Sequence, residues 1–223
     1  ESVAGSGWPA CKICRCGGHE NGYKNQIHKS LRGWLGRAGD LLRLKRQLTL
    51  RGVPGTGKPH VARSRARLIA GGDADAVRVI AFHPGYSYEE FVEGIRARGV
   101  EVNGRSEVTF PVEDGVVCQF AEQAASRPSE PHVLIVDELN RGNLPRIFGE
   151  LLYLLEYRDQ AVTLPYSKRA FRLPDNLFLL ATMNPLDRSA VVLDHALRRR
   201  FSFVDMPADA AILASWLEAH APE

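Results

Sequence analysis

An α/β fold, a parallel sheet wrapped by helices, is what this sequence predicts, and three observations lead there. Strand-like and helix-like segments alternate from residue 47 onward. Two strand candidates, "HVLIVD" and "LFLLATM", are nearly uninterrupted apolar runs, the pattern of strands buried on both faces. A glycine-rich loop ending in lysine, "GVPGTGK", stands between a strand candidate and a helix candidate. The 223 residues, 44% apolar and 25% charged, suffice for one sizeable core of this class.

Residues 1–25 are rich in Gly, Cys and polar side chains without periodicity and read as an irregular leader. Residues 26–46 form a basic lead-in, in which Ile27, Leu31, Trp34, Leu35, Leu41, Leu42 and Leu44 follow a helical pattern broken by Gly36 and Gly39. The core spans 47–207. It opens with the strand "QLTLRG" and the helix "HVARSRARLIAGG", whose Ala62, Ala66, Ile69 and Ala70 share a face and whose stop is Gly71. "VRVIAF" is the next strand, and "YEEFVEGIRA" and "GVVCQFAEQAAS" read as amphipathic helices. After "PHVLIVDE" comes "NLPRIFGELLYLLEY", a helix with Ile147, Leu151, Leu154 and Leu155 at helical spacing. "AVTLPYSKRAFRLP" reads as a β-hairpin turning near Tyr166 to Arg169. "NLFLLATMN" is a buried strand, "AVVLDHALRRR" a helix and "FSFVDM" the last strand. Residues 208–223 begin a helical region that is cut short.

The net charge of +3 conceals a basic amino-terminal part, with Lys12, Arg15, Lys24, Lys29, Arg32, Arg37, Arg43, Lys45, Arg46, Arg51 and Lys58 outnumbering Glu1, Glu20 and Asp40. Such a spread-out segment reads first as a solvated surface and second as a contact for nucleic acid. Cys118 stands alone in a helix and reads as a small apolar residue. Cys11, Cys14, Cys16 and His19 are crowded in "CKICRCGGH"; thiolate and imidazole are ligands zinc prefers, but structural sites separate their ligand pairs by a dozen or so residues. A redox-sensitive tail is the competing reading. The apolar runs are strand-length, so no membrane-spanning helix is expected, and a cytoplasmic location is the default. The missing initiator Met suggests a fragment edge or a processed end.

Four constellations carry chemistry. Gly52, Gly55, Gly57 and Lys58 match the G-x-x-x-x-G-K part of a phosphate-binding loop, and with Val53, Pro54, Thr56, Pro59 and His60 they make the nucleotide-binding stretch whose backbone would wrap a β-phosphate with N–H groups inward. Lys58 would neutralise β- and γ-phosphate charge. Asp137 and Glu138 leave the carboxyl end of a buried strand, where ligands of open α/β sheets sit. The first suits a magnesium ion, held through water, and the second suits the orientation and deprotonation of an attacking water. Asn184, at the end of another strand, can hold that water or the γ-phosphate, or can be a simple turn residue. Arg198, Arg199 and Arg200 close a helix; dipole stabilisation is the bland account and a trans-acting arginine the functional one.

Together "FHPGYSYEEFVEGIR", "VLIVDELNRGNLPRIFGELLYLLE", "LPYSKRAFRLPDNLFLLATMNPLDRS" and "LDHALRRRFSFVDM" resemble the AAA+ domain of the McrB type, the NTP-driven motor of modification-dependent restriction systems within the dynein-related AAA subfamily. The resemblance runs from about Leu44 to Met206. It implies a P-loop NTPase core with a five-stranded parallel sheet of order 5-1-4-3-2, a β-hairpin insertion and a largely absent helical lid. It makes Lys58 part of Walker A, Asp137 and Glu138 Walker B, and Asn184 sensor 1; Asp187 and Arg188 match the acidic and basic residues of the signature that follows. Arg199 and Arg200 fall where the family places its trans-acting arginines. Also implied are Mg2+, ATP or GTP as substrate, a homo-oligomeric, hexameric ring, an McrC-like endonuclease partner, and DNA reached through that complex.

Two departures stand out. Pro185 and Leu186 replace the more usual Thr and Ala. Pro59 replaces a Thr or Ser whose hydroxyl ligates magnesium and whose N–H helps hold the phosphates. Its ring also disfavours the α conformation at Lys58, while a proline in the first helical turn leaves the fold intact. Phosphate binding with weakened hydrolysis is the resulting alternative expectation.

Overall fold

The computed structural model describes residues 38–102, 105–187 and 195–206. Its centre is a five-stranded sheet of β1 (Gln47–Arg51), β2 (Val77–Ala81), β7 (His132–Asp137), β10 (Leu177–Met183) and β11 (Ser202–Asp205), in the order β11-β1-β10-β7-β2. Every neighbouring pair is parallel. Numbered as core strands, this is the 5-1-4-3-2 order expected from the resemblance.

Side-chain alternation divides the apolar strands between two cores. Val133, Ile135, Phe178 and Leu180 point to one side, with Leu48, Leu50 and Val204. There they meet Ala38 and Leu42 of α1 (38–45) and Ala62 and Ala66 of α2 (Lys58–Ile69). Leu134, Val136, Leu177, Leu179 and Ala181 point to the other, larger core. That core is covered by α4 (Val116–Ser126), α5 (Leu144–Phe148), α6 (Leu151–Glu156) and α7 (His195–Arg200). A strand with period-two side chains and an apolar layer on each face must be apolar throughout, which is why these two segments lack alternation.

Two expected helices are corrected. The segment "YEEFVEGIRA" is helical only as α3 (Tyr88–Phe91), and then extends as β3 (Glu93–Ile95), antiparallel to β6 (Val112–Asp114). The reason is tertiary: Glu93 is completely buried, and its carboxylate accepts N–H bonds from Tyr166 at 2.8 Å and Ser167 at 3.1 Å, which a continuing helix would not allow. The long helix after β7 is broken between α5 and α6 by Gly149, at φ 49 and ψ −125, where the chain packs against the Tyr88 ring.

A second hairpin, β4 (Arg98–Val102) with β5 (Arg105–Thr109), was not anticipated. Its signal lies in the sequence, since Asn103-Gly104 flanked by "VEV" and "RSEVT" is the pattern of a tight hairpin. The anticipated hairpin is present as β8 (Val162–Thr163) and β9 (Ala170–Phe171). Cys118 is fully buried in α4, as its apolar reading requires. Cys11, Cys14, Cys16 and His19, with the zinc or redox-tail readings placed on them, lie outside the described residues, as does 207–223.

Candidate nucleotide site

The loop from Gly52 to Lys58 joins β1 to α2 at the carboxyl edge of the sheet. Gly55 and Gly57 adopt left-handed backbones at φ 83 and 76, and Gly57 is the N-cap of α2. A Cβ on either would meet nothing within 4 Å, so dihedral angle rather than crowding calls for glycine there. Gly52 differs: its Cβ would lie 2.5 Å from the Met206 carbonyl oxygen, so β1 and the end of β11 approach through a missing side chain. Val53 is half-buried, and its carbonyl accepts from the Thr56 hydroxyl at 3.0 Å and the Lys58 ammonium at 2.8 Å. Lys58 is buried, and desolvation lowers its pKa against the opposing pull of Glu138 and Asp137. A buried ammonium on a neutral carbonyl has an incompletely balanced charge, and an entering anion would complete it.

Pro59 is the second residue of α2 and is exposed, as are Pro54 and His60. The first intrahelical bond here runs from Val61 N–H to the Gly57 carbonyl at 3.0 Å. The N–H that Pro59 lacks is among those with no partner inside any helix, so the helix tolerates proline. What this position cannot supply to a ligand is a side-chain hydroxyl or an N–H.

The register carries the other groups to the same edge. Arg51 pairs with Met183 and Ala81 with Asp137, so β1, β10, β7 and β2 finish together. The Thr182 hydroxyl donates to the Asp137 carboxylate and accepts the Glu138 N–H at 3.3 Å. Glu138 is left-handed, at φ 54 and ψ 46, so the chain turns sharply after the strand. Its buried Oε2 has no hydrogen-bond partner among the described residues; the Arg141 Nε stands 3.6 Å away. Arg141 donates at 2.8 Å to Asp187, and the buried Asn140 amide donates at 2.9 Å to the Asn184 carbonyl. Asn184 Oδ1 accepts the Leu186 N–H at 3.0 Å, so its NH2 end is the part of use to a ligand's oxygens. The turn after β7 and the loop after β10 are thus tied together at two points.

Lys58, Asp137, Glu138, Asn184 and Asp187 are therefore brought to one edge, and Arg188 lies outside the described residues. Thr182, Asn140 and Arg141 are polar members of the same assembly that sequence reading passed over. The signal available for Asn140 and Arg141 was "ELNRGN", a polar run that begins at the second of the paired carboxylates; for Thr182 it was a lone hydroxyl near the end of the apolar run "LFLLATM". For magnesium, the Asp137 carboxylate suits a hard cation held through water, but Pro59 leaves the donor set without its hydroxyl. The residues fit the ion in part.

Arg199 and Arg200 stand elsewhere. They end α7 immediately before β11, whose Ser202 pairs with Leu48 near the start of β1, so they occupy the amino edge of the sheet, opposite Lys58. Within one chain they do not join the site.

Residues 47–201 match the family described as the AAA domain of the dynein-related subfamily. The chain is 40% identical over 173 residues to the type IV methyl-directed restriction enzyme EcoKMcrB subunit of Escherichia coli (strain K12), covering 74% of this chain and 36% of that protein. It is 26% identical over 206 residues to the type II restriction enzyme BsuMI component YdiS of Bacillus subtilis (strain 168), covering 77% of this chain and 60% of that one. A solved structure from Cytophaga hutchinsonii overlaps at a TM-score of 0.47 and 18% identity, over 89% of this chain and 56% of that one, too loosely to add to the assignment. The chain thus spans little more than a third of one curated relative and three-fifths of the other. With a phosphate-loop α/β core, the strand order of its sheet and a family match across most of its length, the chain belongs to the dynein-related AAA family as an McrB-like AAA+ protein.

Proposed function

We propose that this chain binds a purine nucleoside triphosphate, ATP or GTP, with Mg2+, and hydrolyses it where it meets a neighbouring copy in a hexameric ring. The observation that carries this reading is the opposition of its two edges. Lys58, Asp137, Glu138 and Asn184 converge at the carboxyl edge of the sheet, while Arg199 and Arg200 stand at the amino edge. A complete hydrolytic set then forms only between two subunits.

Each residue has a role that follows from its chemistry. Lys58 exchanges the Val53 carbonyl for phosphate oxygens, and the amides of the Gly52 to His60 loop enclose the β-phosphate. Asp137, oriented by Thr182, holds the ion through water, and the ion supplies charge neutralisation between β- and γ-phosphates when bound. Glu138 accepts the proton of the attacking water, which Asn184 orients. Asp187, tied to Arg141, braces the loop that carries Asn184. The work so released would drive DNA restriction with a separate McrC-like endonuclease, the reading suggested by two relatives that are restriction-system components. No helix among the described residues is long and apolar enough to cross a membrane, and we place the protein in the cytoplasm.

Pro59 favours a second reading, a subunit that binds nucleotide and scarcely hydrolyses it, since the position offers neither hydroxyl nor N–H. Comparing binding and turnover of ATP and GTP by the natural protein and by Pro59→Thr separates the two. Under the first reading the natural protein turns over and Pro59→Thr gains no more than about tenfold; under the second, turnover appears only in Pro59→Thr, with binding changed little. Background turnover in both, alongside tight binding, would remove hydrolysis from the proposal.

A further inference from the structure

The two arginines at the end of α7 do different things. Arg200 spends its guanidinium inside its own subunit: Nε donates to the Leu152 carbonyl at 2.8 Å, and the group pairs with Glu156 Oε2 at 3.1 Å. Its side chain is 15% exposed. The Arg200 carbonyl in turn accepts from the Gln47 amide at 2.7 Å, so this residue fastens α7 to both α6 and β1. Arg199 is 65% exposed, and its Nε approaches the same Glu156 oxygen at 4.0 Å, beyond hydrogen-bonding reach. One carboxylate oxygen therefore faces two guanidiniums, bonded to one and only attracting the other.

The surroundings of Arg199 sharpen the contrast. A cavity of about 420 Å³ opens beside it, lined by Lys45, Arg46 and Arg158 together with the carboxylates of Glu156 and Asp175. Lys45 donates to the Arg199 carbonyl at 3.3 Å, and Arg158 is so desolvated that its pKa falls to about 10. Arg199 stands in a wall where cations outnumber the carboxylates Glu156 and Asp175, with Glu156 as its close counter-charge, an arrangement that favours an anion arriving from outside. A guanidinium already bonded within its own core cannot leave to meet phosphate without stranding Glu156 and the Leu152 carbonyl.

We propose that Arg199 alone reaches the neighbouring subunit's triphosphate, that Arg200 is an internal clamp, and that Glu156 is the positioning residue that holds the clamp and steers Arg199. This rests on the reading of trans hydrolysis above and assigns its parts. Glu156 touches no substrate; it acts through the two arginines.

The test is made in the Pro59→Thr protein, so that the missing hydroxyl does not mask the result. Arg199→Ala is expected to reduce turnover about 1,000-fold while leaving nucleotide binding and the melting temperature unchanged. Arg200→Ala is expected to lower the melting temperature by several degrees. Glu156→Gln should reduce turnover about tenfold, yet produce no further loss once Arg199 is already Ala, because a steering residue has nothing left to steer. Turnover within twofold of the parent in Arg199→Ala, or a full additional loss from Glu156→Gln in that background, would overturn the division of roles and leave trans hydrolysis standing. A parent protein that binds nucleotide without any turnover would remove the hydrolysis reading, and this assignment with it.

Discussion

Cys118 shows how a single residue's chemistry is set by its packing. Burial in α4, with Asp114 nearby, pushes its thiol up to about 12, against a smaller opposing effect of Arg169. Thiolate is the reactive form, so the folded protein is expected to resist Ellman-type reagents at pH 8. In a variant with Cys11, Cys14 and Cys16 changed to Ser, modification should follow the urea unfolding curve; prompt labelling without denaturant would contradict the burial. The sign of the linkage is definite. An unfolded thiol ionises near its ordinary value and the folded one only near 12, so this group's contribution to stability is intact below the ordinary value and is lost as pH rises between the two. The same scale explains what could be read early. Lys58, Asp137 and Glu138 announce themselves because each sits in a local run whose spacing fixes its position on a strand end or helix start. Thr182, Asn140 and Arg141 do not, because their partners lie more than forty positions away and only the sheet register brings them together.

At the scale of elements, the buried parallel strands of the central sheet proved more legible than the helix ends or the small hairpins β3–β6 and β4–β5. A buried parallel strand is specified by its own apolar run, whereas the ends of α3 and α5 are decided by distant groups, the turn of the β8–β9 hairpin and the Tyr88 ring. Gly149 is the testable case. Its φ of 49 with ψ of −125 is a glycine conformation, and an added Cβ would lie 2.8 Å from the Tyr88 ring. Gly149→Ala should therefore cost about 2 kcal/mol or more, read as a lower urea midpoint, and more if the ring cannot turn aside. An unchanged midpoint would mean that the α5–α6 break is not required. Glu93 makes the complementary point. Glu93→Ala removes the acceptor for the Tyr166 and Ser167 N–H groups in a fully buried place and should cost about 2–3 kcal/mol, while Glu93→Gln, which keeps an acceptor oxygen, should cost clearly less. Equal losses in the two variants would show that the bonds to the hairpin turn are not what matters at this position.

On the scale of the whole molecule, the two edges of the sheet set the logic of the proposed activity. One edge gathers Lys58 and Arg141 with the carboxylates Asp137, Glu138 and Asp187; the other gathers Lys45, Arg46, Arg158 and Arg199 with Glu156 and Asp175. In the proposed ring these two edges would meet head-to-tail, the arrangement that closes when the rotation permits. A consequence follows for mixtures. In the Pro59→Thr background, Lys58→Ala should be inactive for want of phosphate binding, and Arg199→Ala for want of the neighbour's guanidinium. Combined in equal amounts, each supplies what the other lacks at one kind of interface. Random assembly then makes about a quarter of interfaces complete, and turnover should recover to about a quarter of the parent value. Recovery should also rise with protein concentration, as expected for a site completed by assembly, and fall with salt, because charged groups line both meeting edges. If the mixture stays as inactive as its components while gel filtration shows that the two variants co-assemble, the arginine does not act across the interface. The edge-to-edge account of the site would then have to give way to one built within a single chain.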